Sequence, residues 1–174
     1  YFTTTLLNSL WLFAWHYEKI ILSTIIMVML FVNLIILYRK IGIGESSAEV
    51  YDKIFMFFPF SVYIGWISLA TVLNISILLL YLNWNGFGIT QDGWGFIIIS
   101  LITCLGLTVI LTKNDVFLGL TYIWALSGIL STKIKLPNLI TQIKDPLTLS
   151  AVIAGIILIS VSIVYKIIRK EVYS

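Results

Sequence analysis

Charged residues are scarce in this 174-residue chain, since only 11% are Asp, Glu, Lys or Arg while 60% are hydrophobic. An ordinary soluble domain has about a quarter of its residues charged. The mean hydropathy is correspondingly high, at +1.05. A water-soluble fold of this composition would expose apolar surface that it has too few polar residues to cover. The composition therefore excludes an ordinary soluble domain and indicates a membrane protein.

The residue types that carry most catalytic and metal chemistry are also few. The chain has one cysteine, Cys104, and one histidine, His16, so a disulfide framework or a thiolate metal site within the chain is excluded. The acids fall between the apolar runs, so neither a Ser-His-Asp set nor a catalytic carboxylate pair can be assembled. We expect that the protein is not an enzyme and requires no cofactor. A net charge of only +3 gives no reason to expect a nucleic-acid partner.

Six apolar runs approach or reach the length that crosses a bilayer as helix. A hydrocarbon core of ~30 Å requires about 17 to 25 helical residues. The runs lie at residues 2–17, 20–38, 54–82, 94–112, 115–131 and 148–168, and the first and fifth are short. The eleven basic and eight acidic side chains all fall in connections or at predicted helix ends, which disfavours ion pumps, proton relays and voltage sensors. The sequence predicts an all-α fold, a polytopic transmembrane helix bundle of about six spans.

Two of these spans carry aromatic and amide side chains at helical spacing, so that each set forms one stripe along its helix. The third span should run parallel to the first, because one span separates them. The two stripes could then face each other, and the small Ala70 would leave room for a flat ligand. The stripe of the first span contains Asn8, Trp11 and Trp15. The stripe of the third span contains Tyr63, Trp66, Ala70 and Asn74.

A purely structural interpretation of these stripes also fits the spacing. Asparagines in membrane helices often only hydrogen-bond to neighbouring helices, and tryptophans often only anchor a helix at the headgroups. Trp11 and Trp66 are predicted to lie well inside the membrane, where an indole N–H needs a partner, and this favours a ligand pocket. Spacing alone leaves both interpretations open.

The segment WISLATVLN, residues 66–74, resembles the signature in the last helix of the TspO/MBR family, the tryptophan-rich sensory or translocator proteins. In that family the Trp is followed at plus four by Ala, at plus five by Thr and at plus eight by Asn. Trp66, Ala70, Thr71 and Asn74 match these positions. Tyr63 lies where the family has the Tyr of a Pro-Tyr pair, although the Pro itself is replaced.

The segment NSLWLFAWHY, residues 8–17, is similar to the Asn-x-x-Trp helix of the same family. Asn8 and Trp11 match, and Trp15 stands where a Phe is usual. The resemblance implies a TspO-like three-helix portion at residues 1–82, followed by an additional three-helix transmembrane extension at residues 83–174. It also implies that the family's two N-terminal helices have no counterpart in this chain, which would be a divergent, extended member.

Members of this family bind tetrapyrroles such as protoporphyrin, and in some cases sterols, within a helix bundle. By resemblance, the residues expected to bind a ligand are Asn8, Trp11, Trp15, Tyr63, Trp66, Ala70 and Asn74. The implied function is binding of a flat hydrophobic ligand, of porphyrin type or of sterol or isoprenoid type, between the first and third spans for sensing or transport. No metal site is expected.

The expected partners are membrane lipids, the hydrophobic small molecule, and either a second copy of the chain or another membrane subunit. The expected location is an integral, multi-pass one, in a bacterial inner membrane or in an organelle membrane. Two alternatives remain open. The protein could be a structural or accessory subunit of a larger membrane complex, or a small-molecule permease.

Overall fold

A computed structural model describes residues 2–43, 53–134 and 145–169, and the regular structure in these ranges is helical. A π-helical turn, Lys53–Phe57, precedes α3, and a 3-10 turn, Gly86–Gly88, lies between α3 and α4. The all-α prediction is confirmed, and each helix lies within a few residues of the apolar run that predicts it. The helices are α1 (Phe2–His16), α2 (Ile20–Ile41), α3 (Phe58–Tyr81), α4 (Gln91–Lys113), α5 (Val116–Ile134) and α6 (Pro146–Ile168).

Of the six helices in the described residues, four are long and apolar enough to cross a bilayer. Their spans are Ile20–Ile41, Phe55–Tyr81, Gln91–Lys113 and Pro146–Ile168. The apolar part of α5 is shorter, Val116–Ser131. With 15 residues, α1 extends only about 22 Å at 1.5 Å per residue. The two shortest apolar runs of the sequence therefore form the two helices whose apolar length is too short to cross a bilayer.

Glycine and polar residues at the helix ends explain where several helices begin and stop. Gly42 adopts the left-handed conformation after α2, with φ of 70°, which glycine accepts without a steric penalty. Before α4, the Thr90 hydroxyl accepts a hydrogen bond from the Gly93 N–H at 3.1 Å. Asp115 does the same for α5, because its Oδ1 accepts from the Leu118 N–H at 3.1 Å. These caps satisfy backbone groups that have no partner inside the helix.

A buried polar contact joins the end of α2 to the beginning of α5. Tyr38 Oη donates to Asp115 Oδ2 at 2.7 Å, and both side chains are buried. A buried carboxylate is costly unless its oxygens are bonded, and here the cap on α5 and the tyrosine hydroxyl each bond one oxygen. The pair therefore fixes α2 and α5 relative to each other.

The helices pack in two different ways in the two halves of the chain. The first three form a row, in which α2 packs on both α1 and α3. The last three form a triangle, in which α4, α5 and α6 all pack on one another. The main contact between the halves is between α3 and α5.

Small residues permit the closest approaches within this arrangement. A methyl group added at Gly155 of α6 would lie 2.6 Å from Thr103 Oγ1 of α4, and one added at Gly65 of α3 would lie 3.2 Å from Thr121 of α5. The first distance is shorter than atoms tolerate. At the beginning of α6, the Asp92 carboxylate of α4 accepts from the N–H groups of Leu147 and Thr148 at 3.0 and 2.8 Å. The α4–α6 pair is thus closely packed and capped across the interface.

Candidate functional site

Asn74 of α3 lies at the place where the first three helices meet. Its side chain is only 3% exposed. Its Oδ1 accepts from Trp11 Nε1 at 3.3 Å, and its Nδ2 donates to the Ala70 carbonyl at 2.8 Å. Thr24 Oγ1 of α2 donates to the backbone carbonyl oxygen of Asn74 at 3.3 Å. The amide therefore bonds to protein on both sides and joins α1 to α3.

Other polar and aromatic residues of α1 either pack beside Trp11, bond to α2 or are exposed. Trp15 stacks on Trp11, with ring centroids 6.2 Å apart and an interplanar angle of 29°. Thr4 Oγ1 donates to Asn33 Oδ1 of α2 at 2.9 Å. Asn8 is exposed on α1. The amides at 33 and 74 thus connect neighbouring helices, as asparagines in membrane helices often do.

A large cavity lies on another side of α3, between α3, α4 and α5. Its volume is ≈ 850 Å³, and we refer to it as the groove. From α3 it is lined by Trp66, Leu69, Ala70, Val72, Leu73 and Ser76. From α4 and α5 it is lined by Ile98, Ile99, Ile102, Trp124, Ala125, Ser127, Gly128, Ile129 and Ser131.

Two tryptophans separate the groove from a second, smaller cavity. The rings of Trp66 and Trp124 have centroids 5.3 Å apart with an interplanar angle of 51°. The smaller cavity, of ≈ 310 Å³, is lined by both of them and by Phe58, Val62, Phe117, Leu120 and Thr121. The two cavities follow the same α3–α5 contact and meet at the tryptophan pair.

The seven predicted site residues are divided between two sides of α3. Trp11, Trp15 and Asn74 come together at the contact of α1 with α3, whereas Trp66 and Ala70 line the groove. Tyr63 is half-buried against the hydrophobic core, and Asn8 is exposed. The sequence predicts a cavity between the first and third spans, whereas the groove lies between the third, fourth and fifth helices. Whether these side chains bind a ligand stays a prediction.

The division follows from the geometry of the α3 stripe. Eight residues separate Trp66 from Asn74, and at about 100° per residue they differ by about 80° around the helix. That angle is wide enough for one end of the stripe to face α1 and α2 and the other end to face α5. Ala70 lies between them, which is why it can accept the Asn74 amide with its carbonyl and line the groove with its methyl group.

Trp124 is the residue of this region that the sequence interpretation missed. Its side chain is 65% exposed, compared with 48% for Trp66. Its signal was present, because Thr121, Trp124, Gly128 and Ser131 follow one another at helical spacing along α5. A methyl group added at Gly128 would have no atom within 4 Å, so the groove is open at this glycine.

Three of the hydroxyl groups that line the two cavities are hydrogen-bonded to carbonyls of their own helices. Ser76 Oγ donates to the Val72 carbonyl at 2.9 Å, Ser131 Oγ to the Gly128 carbonyl at 2.8 Å, and Thr121 Oγ1 to the Phe117 carbonyl at 3.0 Å. None of the described residues that line either cavity is charged. Within the parts of the chain that the structure describes, no group of three or more His, Cys, Asp or Glu could hold a metal ion. The region suits an uncharged, apolar molecule.

The long apolar helices, their lipid-compatible outer surfaces and the uncharged groove define an integral, multi-pass α-helical membrane protein. The family model described as TSPO-like protein matches residues 1–165, and the chain belongs to this family. The match therefore includes most of residues 83–174, which the sequence interpretation assigned to an added extension. The division of the chain at residue 82 stays a prediction. Comparisons with curated proteins and with solved structures found no match.

Proposed function

We propose that this TSPO-like membrane protein binds a flat hydrophobic ligand in the groove between α3, α4 and α5, for sensing or transport. The ligand is of sterol or isoprenoid type, or a tetrapyrrole. The protein acts in this proposal as a binding protein and not as an enzyme, and it requires no cofactor. The observation that carries the proposal is the groove of ≈ 850 Å³ with Trp66 and Ala70 in its wall.

The size and lining of the groove support binding of a small molecule. Pockets for ligands of drug size measure about 300 to 1,000 Å³ and are lined mainly by apolar and aromatic side chains. The indole faces of Trp66 and Trp124 provide aromatic surface against which a planar ring system can stack. Ala70 and Gly128 provide the space, because neither fills the groove with a large side chain.

Exposure of the two tryptophans supports entry from the lipid. At 48% and 65%, the exposed fractions of Trp66 and Trp124 are large for aromatic side chains beside a cavity. In a multi-pass membrane protein such a surface faces acyl chains, so a ligand dissolved in the bilayer can enter sideways. A ligand that partitions into lipid is thus the kind that this groove would encounter.

The absence of charge in the described lining favours an uncharged ligand. An unpaired carboxylate in an apolar site is costly, and none of the lining residues is a Lys or Arg that could pair with it. A sterol, an isoprenoid or an esterified porphyrin fits these walls better than a porphyrin with two ionised carboxylates.

Quenching of tryptophan fluorescence by the dimethyl ester of protoporphyrin tests the proposal. We expect saturable quenching in detergent micelles and an affinity weakened about tenfold or more in Gly128→Leu, because overpacking a site typically costs about 1 to 3 kcal/mol. Leu favours helix more than Gly does, so this variant should fold. Ala154→Leu is the matched control, since Ala154 is exposed on α6 and lines neither cavity. Equal affinity in all three proteins would contradict the proposal.

A structural role in a larger membrane complex is the second candidate, and one observation favours it. Asn74 and Asn33 bond directly to Trp11 and Thr4, so the first stripe already acts as helix-to-helix contact. Under this role the exposed aromatic residues would pack on partner helices, and no saturable quenching would be observed. Lipids, a second copy of the chain or another membrane subunit would be the partners. A bacterial inner membrane or an organelle membrane is the proposed location.

A further inference from the structure

Helices α3 and α5 run in the same direction and are in contact over their first halves. The rings of Phe58 and Phe117 meet edge to face, with centroids 5.0 Å apart. Further along both helices, a methyl group added at Gly65 would lie 3.2 Å from Thr121. The tryptophan pair follows, and each of its members is eight residues beyond the first residue of its helix. The contacts therefore proceed in register from the beginning of the two helices to the pair.

Beyond the tryptophan pair, the groove separates the same two helices. Its lining continues along α3 from Trp66 to Ser76 and along α5 from Trp124 to Ser131. At 1.5 Å per residue these stretches extend about 15 and 10 Å. Ser76 lies five residues before the end of α3, and Ser131 lies three residues before the end of α5. The groove thus runs from near the ends of both helices to the tryptophan pair, which forms its inner end.

The smaller cavity lies on the other side of the tryptophan pair. Its remaining lining residues all precede the tryptophans, at positions 58 and 62 of α3 and at 117, 120 and 121 of α5. Among these residues Thr121 alone is polar, and its hydroxyl donates to the Phe117 carbonyl of its own helix at 3.0 Å. The two indole rings therefore form a partition between the groove and a mainly apolar space that continues along the same helices.

The two ends of the groove suit the two ends of a linear amphiphile. In a multi-pass membrane protein the helix ends lie near headgroups and water, so a polar head placed near Ser76 and Ser131 stays close to the membrane surface. The inner end of the groove lies about 15 Å further along α3, where the surroundings are hydrocarbon and an apolar tail is at home. A chain that lies along the groove from head to tail therefore ends against the indole rings.

We infer that the tryptophan pair limits the length of a linear isoprenoid alcohol bound in the groove, with Trp124 as the specificity-determining residue. The tail of the ligand stops at the rings, because they occupy the space between the groove and the smaller cavity. Trp124 borders both cavities and is 65% exposed, so a small side chain in its place joins the two cavities without disturbing the buried core. This inference rests on the proposed function and specifies its ligand class.

Displacement of the porphyrin dimethyl ester by farnesol and by geranylgeraniol tests the inference. The two alcohols share a head group and differ by one isoprenoid unit, and the measured quantity is the ratio of the concentrations at which they displace half of the porphyrin. Comparison of this ratio between proteins removes the different partitioning of the two alcohols into micelles. In Trp124→Ala we expect the ratio to shift about fivefold in favour of geranylgeraniol, because its last unit no longer has to fit against a ring. Trp66 remains as the fluorophore of the groove.

Two further variants separate a length limit from a general effect of losing a tryptophan. Leu120 is half exposed and lines the smaller cavity but not the groove, so Leu120→Trp in the Trp124→Ala background refills the smaller cavity. We expect the ratio in this double variant to return to that of the unchanged protein. Trp15→Ala removes a tryptophan that lines neither cavity and should leave the ratio unchanged.

The possible failures are distinguishable. An unchanged ratio in Trp124→Ala, the same shift in the refilled double variant, or an equal shift in Trp15→Ala would overturn the length limit while the porphyrin signal still supports a binding groove. Failure of both alcohols to displace the porphyrin would overturn it as well. Absence of saturable quenching by the porphyrin ester would overturn the proposed function and this inference with it.

Discussion

Two sides of α3 carry polar and aromatic side chains, but these side chains have protein partners on one side and border a cavity on the other. On the side of α1 and α2, Asn74 is buried and its side chain bonds to Trp11 and to the Ala70 carbonyl. On the side of α5, Trp66 is half exposed and borders a cavity. An amide that already has protein partners contributes to packing, whereas an aromatic face beside empty space is available to a ligand. A polar and aromatic stripe in a membrane helix therefore does not by itself define a site.

The same contrast separates the α4–α6 interface from the groove. Gly155 of α6 lies against Thr103 of α4, whereas Gly128 of α5 faces open space. One glycine allows two helices to approach and the other leaves a cavity. The predictions that follow test these contrasts, beginning with the largest expected effect on stability.

Gly155→Ala and Gly128→Ala make the same change in the two environments. We expect Gly155→Ala to lower the free energy of unfolding by about 1 to 3 kcal/mol, because the added methyl group would lie 2.6 Å from Thr103 Oγ1. Either the Thr103 hydroxyl must leave its hydrogen bond to the Ile99 carbonyl or the two helices must move apart. Gly128→Ala should leave the stability unchanged or raise it by up to about 1 kcal/mol through helix propensity. Unfolding in mixed micelles by increasing SDS measures both. Equal losses in the two variants would remove the contrast.

Asn74→Ala tests the packing role of the first stripe. We expect a loss of about 1 to 2 kcal/mol in unfolding free energy, because the indole N–H of Trp11 would lose its acceptor in an apolar environment. A double-mutant cycle with Trp11→Phe should give a coupling energy of about 1 kcal/mol. Porphyrin ester binding in the groove should be unchanged. A loss of binding equal to that of Gly128→Leu would place the ligand at the α1–α3 contact instead.

Tyr122→Phe tests a buried hydrogen bond between α3 and α5, the two helices that form two walls of the groove. The hydroxyl groups of Tyr122 and Ser68 lie 2.7 Å apart in the buried α3–α5 contact. We expect removal of the Tyr122 hydroxyl to lower the free energy of unfolding by about 0.5 to 1.5 kcal/mol, measured by the same SDS titration. The loss is limited because the ring remains in place. Tyr165→Phe is the control, since Tyr165 is 44% exposed on α6 and its change should have no measurable effect.

Trp66→Leu should have the smallest effect on the free energy of unfolding, within about 0.5 kcal/mol. The Trp66 side chain is half exposed, so the substitution leaves no cavity in the buried core. Its effect on ligand binding should nevertheless be clear. We expect weaker quenching by the porphyrin ester at every concentration, because a stacking surface and a nearby fluorophore are both lost. Trp15→Leu, which removes a tryptophan outside the groove, should leave the affinity unchanged. The opposite order of the two affinities would contradict the assignment.

The sequence predicted the helices well because a long apolar run constrains both type and length. The six helices begin and end within a few residues of the predicted spans, and even the shortness of the first and fifth runs is visible in the structure. Thr90 precedes the fourth apolar run and Asp115 begins the fifth, and a polar capping residue at such a position is a local signal for the start of a helix. These features depend only on residues close together in the chain.

The position of the cavity could not be predicted in the same way, because it depends on which helices are neighbours. Spacing places Trp66 and Asn74 on one broad stripe of α3 but does not say that α5 covers one edge and α1 the other. Spacing within the fifth run places Trp124 on one face of α5 but does not say which helix packs against that face. Its pairing with Trp66 exists only once α3 and α5 are in contact.

Photolabelling with a diazirine-bearing sterol alcohol tests the location of the binding site most directly. Peptide mapping after irradiation should place the label on α3 and α5, near Trp66, Ala70 and Gly128, and excess unlabelled sterol alcohol should abolish it. Label that is concentrated instead on α1, near Trp11 and Trp15, would contradict the assignment of the groove as the site.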